Sequence, residues 1–482
     1  MQLNHERISA NETLRRVLSQ GQRYGRSETS TGRRVIVEFV SANPNGPITV
    51  AHGRGGALGD ALAALLEWTG NDVSREFYVN DAAGSPQMRI FARSLLARYR
   101  QQFGQDDPIP EDGYPGDYVI EIARQIADRD GDQYLALPSE TAAPIFEALA
   151  LRGMHEQQSA TLAAFGIRYD TWFSEQTLHA SGAVEKVLGQ LKMRDLAYEE
   201  NGALWLRSTR FGDDNDRVLV RAEGTPTYLA GDLAYHADKL ARHFDRLVDV
   251  WGADHQGYIA RTQAGLAALS DAPAPLQIAL YQPVRLLKEG VEVRMGRRGE
   301  TTITLDELIR EVGRDAARFF FLLHPADAAL DFDMDLARTQ RRENPVFAVQ
   351  SAHARCCAAQ KAAQGAGVLF PAEGGVSLDL VSLTQPAEVA LIQKIAAFPD
   401  EVAAASDTLA PCRIARYALD LASLFHPWQD QQDSGAPAGD DRSLAQAHLA
   451  LVQGVRITLA NALTLLGVSA PEYPTPPHTG TL

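Results

Sequence analysis

Cysteine is almost absent: Cys356, Cys357 and Cys412 are the only three in 482 residues. Three thiols without paired spacing form neither a disulfide framework nor a zinc pattern, which excludes the small cross-linked secreted class. Cys356 and Cys357 are neighbours, so on a helix they point about 100° apart; buried thiols are the reading this supports. No stretch approaches the roughly 20 apolar residues of a membrane span. The opening run, Met1-Gln2-Leu3-Asn4-His5-Glu6, lacks the basic-then-apolar profile of an export signal, so a cytoplasmic chain with no membrane association is expected. Positive charge is scarce too: the formal net charge of −15 argues against a general nucleic-acid coat. A local basic face could still come from Arg338, Arg341, Arg342 and Arg355. There is no internal repeat, and the length exceeds one compact core, so two or three domains are expected.

What is present is a βαβ pattern. Val35-Ile36-Val37-Glu38-Phe39-Val40 is dense in β-branched residues and reads as a buried strand. It breaks at Asn43-Pro44-Asn45-Gly46-Pro47, a helix runs to about Leu66, and Val73-Ser74-Arg75-Glu76-Phe77-Tyr78-Val79 is the next strand. The fold class is therefore α/β, a doubly wound parallel sheet that binds ligands at strand carboxyl ends. Residues 1–34 read as a short polar helical extension, 35–335 as the nucleotide-binding domain with a helical insertion at about 90–200, 336–472 as an all-helical domain, and 473–482 as a tail. Strand signals return near Trp205, Val218-Leu219-Val220 and Leu247-Val248-Asp249-Val250-Trp251.

The loop after the first strand carries chemistry. Ile48-Thr49-Val50-Ala51-His52-Gly53-Arg54-Gly55-Gly56 places a histidine at the start of a helix that follows a sheet strand. Free backbone N–H groups and the helix dipole favour phosphate there. Small residues at Ala51, Gly53 and Gly55 would let a flat ring or phosphate approach the backbone, and His52 could donate to a developing phosphorane oxygen. Alone, such a segment is also an ordinary strand-to-helix turn with a capping histidine. Together, Ser41-Ala42-Asn43-Pro44-Asn45-Gly46-Pro47, the histidine element and Arg75-Glu76-Phe77-Tyr78-Val79-Asn80-Asp81-Ala82 resemble the signature of arginyl-tRNA synthetases, class I enzymes whose loop runs into a His-x-Gly-His element. Thr49 stands where that family has its first histidine and Ala51 where it has glycine; His52 matches unchanged.

The resemblance extends along the chain. Thr225-Pro226-Thr227-Tyr228-Leu229-Ala230-Gly231-Asp232 resembles the family's Tyr/Asp pair, and Glu38 and Asn43 match the glutamate and asparagine that hold the substrate side chain with it. Two carboxylates suit the planar, always-charged guanidinium fork better than a lysine. Trp251-Gly252-Ala253-Asp254-His255-Gln256 resembles the segment that borders ATP and arginine, implying Gly252 and Asp254 near ATP and His255 near arginine, with Pro44, Gly46, Ala51, His52 and Gly53 also on the ATP side. Val293-Arg294-Met295-Gly296-Arg297-Arg298-Gly299-Glu300 looks like the mobile Lys-Met-Ser-Lys-Ser loop, with Arg294 and Arg297 in place of its lysines and Met295 beside ATP; a register one residue shorter is also open. Arginine keeps the charge but changes a point into a fork. Catalysis would then rest on His52, Thr49, Arg294 and Arg297.

From Asp315 to Arg355, and again from Arg456 to Pro471, the chain is similar to the family's stem and anticodon-binding domain. The resemblance implies ATP with Mg²⁺ as a substrate complex, no metal ligated by the protein, arginine and tRNA(Arg) as partners, a monomer, and activation that needs bound tRNA. Only 34 residues precede the first strand, where the family carries a tRNA-gripping domain of about a hundred, and ten residues follow Ala470-Pro471-Glu472. These departures keep two other readings open: a paralogue that passes activated arginine to another acceptor, and a non-catalytic tRNA-binding or regulatory protein.

Overall fold

The computed structural model describes residues 12–28, 30–81, 85–270, 275–293, 303–367, 382–434 and 442–473. Its strands, in chain order, begin with β1 (Arg34–Phe39), β2 (Asp72–Val79) and β3 (Thr171–Ser174). A small antiparallel sheet follows, made of β4 (Ala197–Glu200), β5 (Ala203–Leu206) and β6 (Arg217–Val220). Then come β7 (Arg246–Gly252), β8 (Leu276–Tyr281), β9 (Val284–Lys288), β10 (Val291–Val293) and β11 (Leu330–Asp333).

The central sheet runs β3-β2-β1-β7-β8, with every pair parallel. Chain order reverses at β1, whose carboxyl end therefore opens on a crevice beside β7. Val35, Ile36 and Val37 are completely buried, as a central parallel strand requires. The Val50–Trp68 helix returns along the sheet, and Gly59 lets it close on Phe39: a Cβ there would lie 2.2 Å from the Phe39 ring.

The insertion expected at about 90–200 resolves into parts. The Pro86–Gln102, Asp117–Asp130 and Ser139–Ala164 helices enclose their own core around Phe91, Tyr99 and Phe146. β3 lies inside the expected helical stretch but belongs to the central sheet, where Trp172 stacks on Phe77 at 4.4 Å. Four residues are too few to show a strand period between long helices. The β4–β6 sheet packs on the Ala183–Met193 and Tyr228–Ala241 helices.

After β11 the described residues of the expected all-helical domain are helical, from Pro345–Gly365 to Arg442–Leu465. That domain shares one hydrophobic core with the central sheet. The N-terminal segment joins the same core rather than extending from it. The Tyr24 hydroxyl donates to the Ile395 carbonyl at 2.8 Å, and Asn461 Nδ2 donates to the Gly21 and Tyr24 carbonyls at 3.1 and 3.0 Å. All three cysteines are buried and free. The basic face expected from Arg338, Arg341, Arg342 and Arg355 is largely cancelled: Arg342 and Arg355 both pair with Asp430, Arg355 also with Asp433, and Arg338 with Glu311.

Candidate active site

The carboxyl end of β1 is built by a strained turn. Ser41 N–H donates to the Phe39 carbonyl at 3.1 Å around Val40, whose φ is +70°, and Ser41 itself has φ +41°. A β-branched residue in that region costs energy, and such strain collects at functional sites. The turn aims the Ser41 hydroxyl at Glu38 Oε1 (2.9 Å) while it accepts the Tyr78 N–H (3.1 Å). The other oxygen, Oε2, receives Lys239 Nζ at 2.5 Å. Glu38 is thus not the open carboxylate its sequence position suggested.

The next loop is stapled from the insertion. Gln158, buried on the Ser139–Ala164 helix, donates to the carbonyls of Asn43 (3.0 Å) and Gly46 (2.8 Å), and Tyr118 donates to the carbonyl of Asn45 (3.2 Å). Asn43 Oδ1 accepts from Asn80 at 3.0 Å. Pro44 is buried between these contacts.

Thr49 caps the helix that follows, and its hydroxyl accepts the His52 N–H. The Thr49 N–H in turn donates to His52 Nδ1 at 3.2 Å. With Nδ1 accepting, the neutral ring carries its proton on Nε2. Burial depresses the His52 pKa to about 4, although Asp254 pulls it upward, so the ring is an uncharged N–H donor at neutral pH. Gly53 and Gly55 depart from their expected role. A Cβ at 53 would meet Leu305 at 2.6 Å, and one at 55 would meet the Tyr281 ring at 2.7 Å, so these glycines serve helix packing rather than ligand approach. Ala51 stays partly exposed on the first turn.

Asp232 lies one turn into the Tyr228–Ala241 helix, whose start is tied to β6 by Thr227 donating to the Val218 carbonyl at 2.9 Å. Burial raises the Asp232 pKa to about 6; Glu38, Glu175 and Asp249 push the same way, and His236 opposes them. A desolvated acid beside other acids is a place for a cation. Tyr228 is 78 % exposed at the helix start. At the end of β7, a Cβ at Gly252 would lie 2.5 Å from Asp254 Oδ1, the tip of an exposed side chain that can swing aside. His255 contacts Asp254 at 3.5 Å, with both side chains mostly exposed, and among the described residues no hydrogen bond joins it to Asp232. Arg294, Met295 and Arg297 fall outside the described residues.

Sequence reading missed the layer beneath. Strand register sets Glu76, Glu38 and Asp249 abreast on β2, β1 and β7. The Tyr228–Ala241 helix and its cap cover that row with cations. Lys239 Nζ bridges Glu38 and Asp249 (2.9 Å), His236 Nε2 meets Asp249 at 2.8 Å, and Arg242 grips Glu76 through both terminal nitrogens at 2.6 and 2.9 Å. His236 Nδ1 faces the Asp232 carbonyl at 2.7 Å. Both ring nitrogens thus meet acceptors; burial and Lys239 work against its charge, but Asp249 prevails and the pKa is raised. The available signal was Asp249, an acid inside an otherwise apolar strand.

Among the described residues no cluster of three or more His, Cys, Asp or Glu is suited to hold a metal, and no helix is long and apolar enough to cross a membrane.

Two family models match the chain: tRNA synthetases class I (R), catalytic domain, over residues 13–110, and the DALR anticodon binding domain over residues 349–473. An arginine–tRNA ligase of Heliobacterium modesticaldum is 49 % identical over 451 residues, covering 93 % of this chain and 79 % of the relative. One from Syntrophotalea carbinolica is 46 % identical over 459 residues, covering 95 % and 82 %. A Campylobacter jejuni structure assigned to the arginyl-tRNA synthetases superposes with a TM-score of 0.85 at 30 % identity, covering 96 % of this chain and 99 % of that one.

Proposed function

The chain belongs to the arginine–tRNA ligase family, and on that premise we propose that the crevice between β1 and β7 joins L-arginine to ATP and passes the arginyl group to tRNA(Arg). The observation that carries this is Asp232, a desolvated carboxylate among the carboxylates of β1 and β7, together with a neutral histidine donor at the start of the helix that follows β1.

The arginine carboxylate attacks the α-phosphate of ATP–Mg²⁺ in line, forming arginyl-adenylate and releasing pyrophosphate. A terminal ribose hydroxyl of tRNA then takes the arginyl group. Such catalysis is positioning and charge stabilisation, with no covalent enzyme intermediate. His52 Nε2–H donates to the charge that develops on phosphorus-bound oxygen, and Thr49 orients the ring. Pro44, Gly46, Ala51, Gly252 and Asp254 border the nucleotide. Asp232 meets the guanidinium, with Asn43, Tyr228 and His255 closing on the substrate when it binds. Arg294 and Arg297, with Met295 between them, meet the pyrophosphate as it leaves. The protein acts as a cytoplasmic monomer.

Transfer to a different acceptor, and a purely binding role, are both disfavoured by the anticodon-domain match together with relatives aligned over almost the whole chain. Arginine-driven ATP–pyrophosphate exchange tests the assignment. Exchange with arginine that requires tRNA is expected; exchange with another amino acid and none with arginine would overturn it.

A further inference from the structure

Opposite charges balance across the central sheet beside Asp232. Glu76, Glu38 and Asp249 stand side by side, and Arg242, Lys239 and His236 each meet at least one of them. Three carboxylates and three cations cancel. Lys239 is completely buried, and its ammonium also lies 4.3 Å from the Tyr235 ring centroid. Ion pairs this deep are seldom kept for stability, since a well-packed apolar replacement does as well.

Asp232 sits on the helix that carries His236 and Lys239 and is capped by Arg242, but outside this balance. Its environment is His236 on its own helix, Glu38 on β1, Asp249 on β7, Tyr78 on β2 and Glu175 beyond β3, with Asp238 drawn away to Arg242 at 2.8 Å. We infer that Lys239 is a positioning residue for amino-acid recognition: by bridging Glu38 and Asp249 it neutralises the row, so that Asp232 is the counter-ion for the substrate's cation and Glu38 serves as a fixed hydrogen-bond acceptor. Without Lys239 the row keeps excess negative charge, and the carboxylate cluster retains its protons to higher pH. The raised pKa of Asp232, about 6, places that titration where kinetics can read it.

This rests on the arginine-pocket reading above, and the experiment separates the two. Arginine kcat/KM is followed on both sides of pH 6 in tRNA-dependent exchange, using full-length Lys239→Met, Lys239→Arg, His236→Gln and Asp232→Asn. Lys239→Met is expected to raise the arginine KM about tenfold or more, change kcat far less, and move the acid limb up by about one pH unit. Lys239→Arg should restore most of the KM and the original limb, and His236→Gln should move the limb in the same direction as Lys239→Met. A folded Lys239→Met with an unmoved acid limb overturns the inference, as does Lys239→Arg behaving no better than Lys239→Met. If Lys239→Met does not fold, an unmoved limb in His236→Gln overturns it equally. Asp232→Asn with wild-type rejection of citrulline would instead remove the pocket assignment, and this inference with it.

Discussion

His52 turns its ring back onto Thr49, accepting the threonine N–H at Nδ1 across 3.2 Å. The backbone N–H of Thr49 thus fixes the tautomer and aim of the His52 ring. His52→Asn should lower kcat for activation by about 10²-fold with little change in arginine KM, because a donor to the transition state is lost. Since burial holds the His52 pKa near 4, no kinetic limb from this ring should appear between pH 5 and 8. Single-turnover adenylate formation measures both; a large KM effect with kcat intact would reassign the residue to ground-state binding.

Asp232→Asn keeps the side-chain volume and removes the charge. Breaking a buried pair from one side costs about 3–5 kcal/mol, or roughly 10²- to 10³-fold in arginine kcat/KM. Discrimination against citrulline, the neutral near-isostere, should collapse in the same variant. Steady-state kinetics with the two amino acids decide it.

The same substitution should stabilise the ligand-free protein above pH 6. The folded-state pKa of Asp232 is raised from 3.8 to about 6, so the protonated acid favours folding below pH 4, and that contribution is lost as pH rises through 6. At pH 8 the ionised wild-type residue therefore costs on the order of 3 kcal/mol relative to a neutral side chain. Thermal melts should place Asp232→Asn above wild type at pH 8 and level with it near pH 4. Added arginine should narrow the gap at pH 8. Equal melting points at both pH values would contradict the burial of this charge.

Asn461→Ala removes the side-chain amide that donates to the Gly21 and Tyr24 carbonyls and leaves the buried Tyr24 carbonyl without that donor. The expected loss is about 1–3 kcal/mol of local stability. Hydrogen exchange should show protection falling in residues 12–28 before it falls in β1. Uniform loss across the whole chain would mean the segment is not a separate docking unit.

The sequence made some of this legible and hid the rest for physical reasons. β1 and β7 announce themselves by buried β-branched runs, and the turn between β1 and its helix by proline and glycine. β3 is a short edge strand with no period of its own. Lys239 and His236 occupy spacings that look like a solvated helix face, and only the register of β1 against β7 reveals that this face is buried over acids. Gly53 and Gly55 were misleading in the opposite sense. Glycine permits both ligand approach and close helix packing, and only the position of Leu305 and Tyr281 tells which one is in use.

The N-terminal segment has a consequence for how the chain is made. Leu14 and Val17 fit against Gly454, and Asn461 reaches back across 440 residues to Gly21. A ribosome adding roughly 5–20 residues per second needs on the order of twenty to ninety seconds to span that gap. During that interval the β1 crevice can assemble, but the surface that receives residues 12–24 does not yet exist. Docking of residues 12–24 therefore waits for chain made some 440 positions later, and a ribosome stalled before the Arg442–Leu465 helix should present them to proteases while the central sheet is already closed.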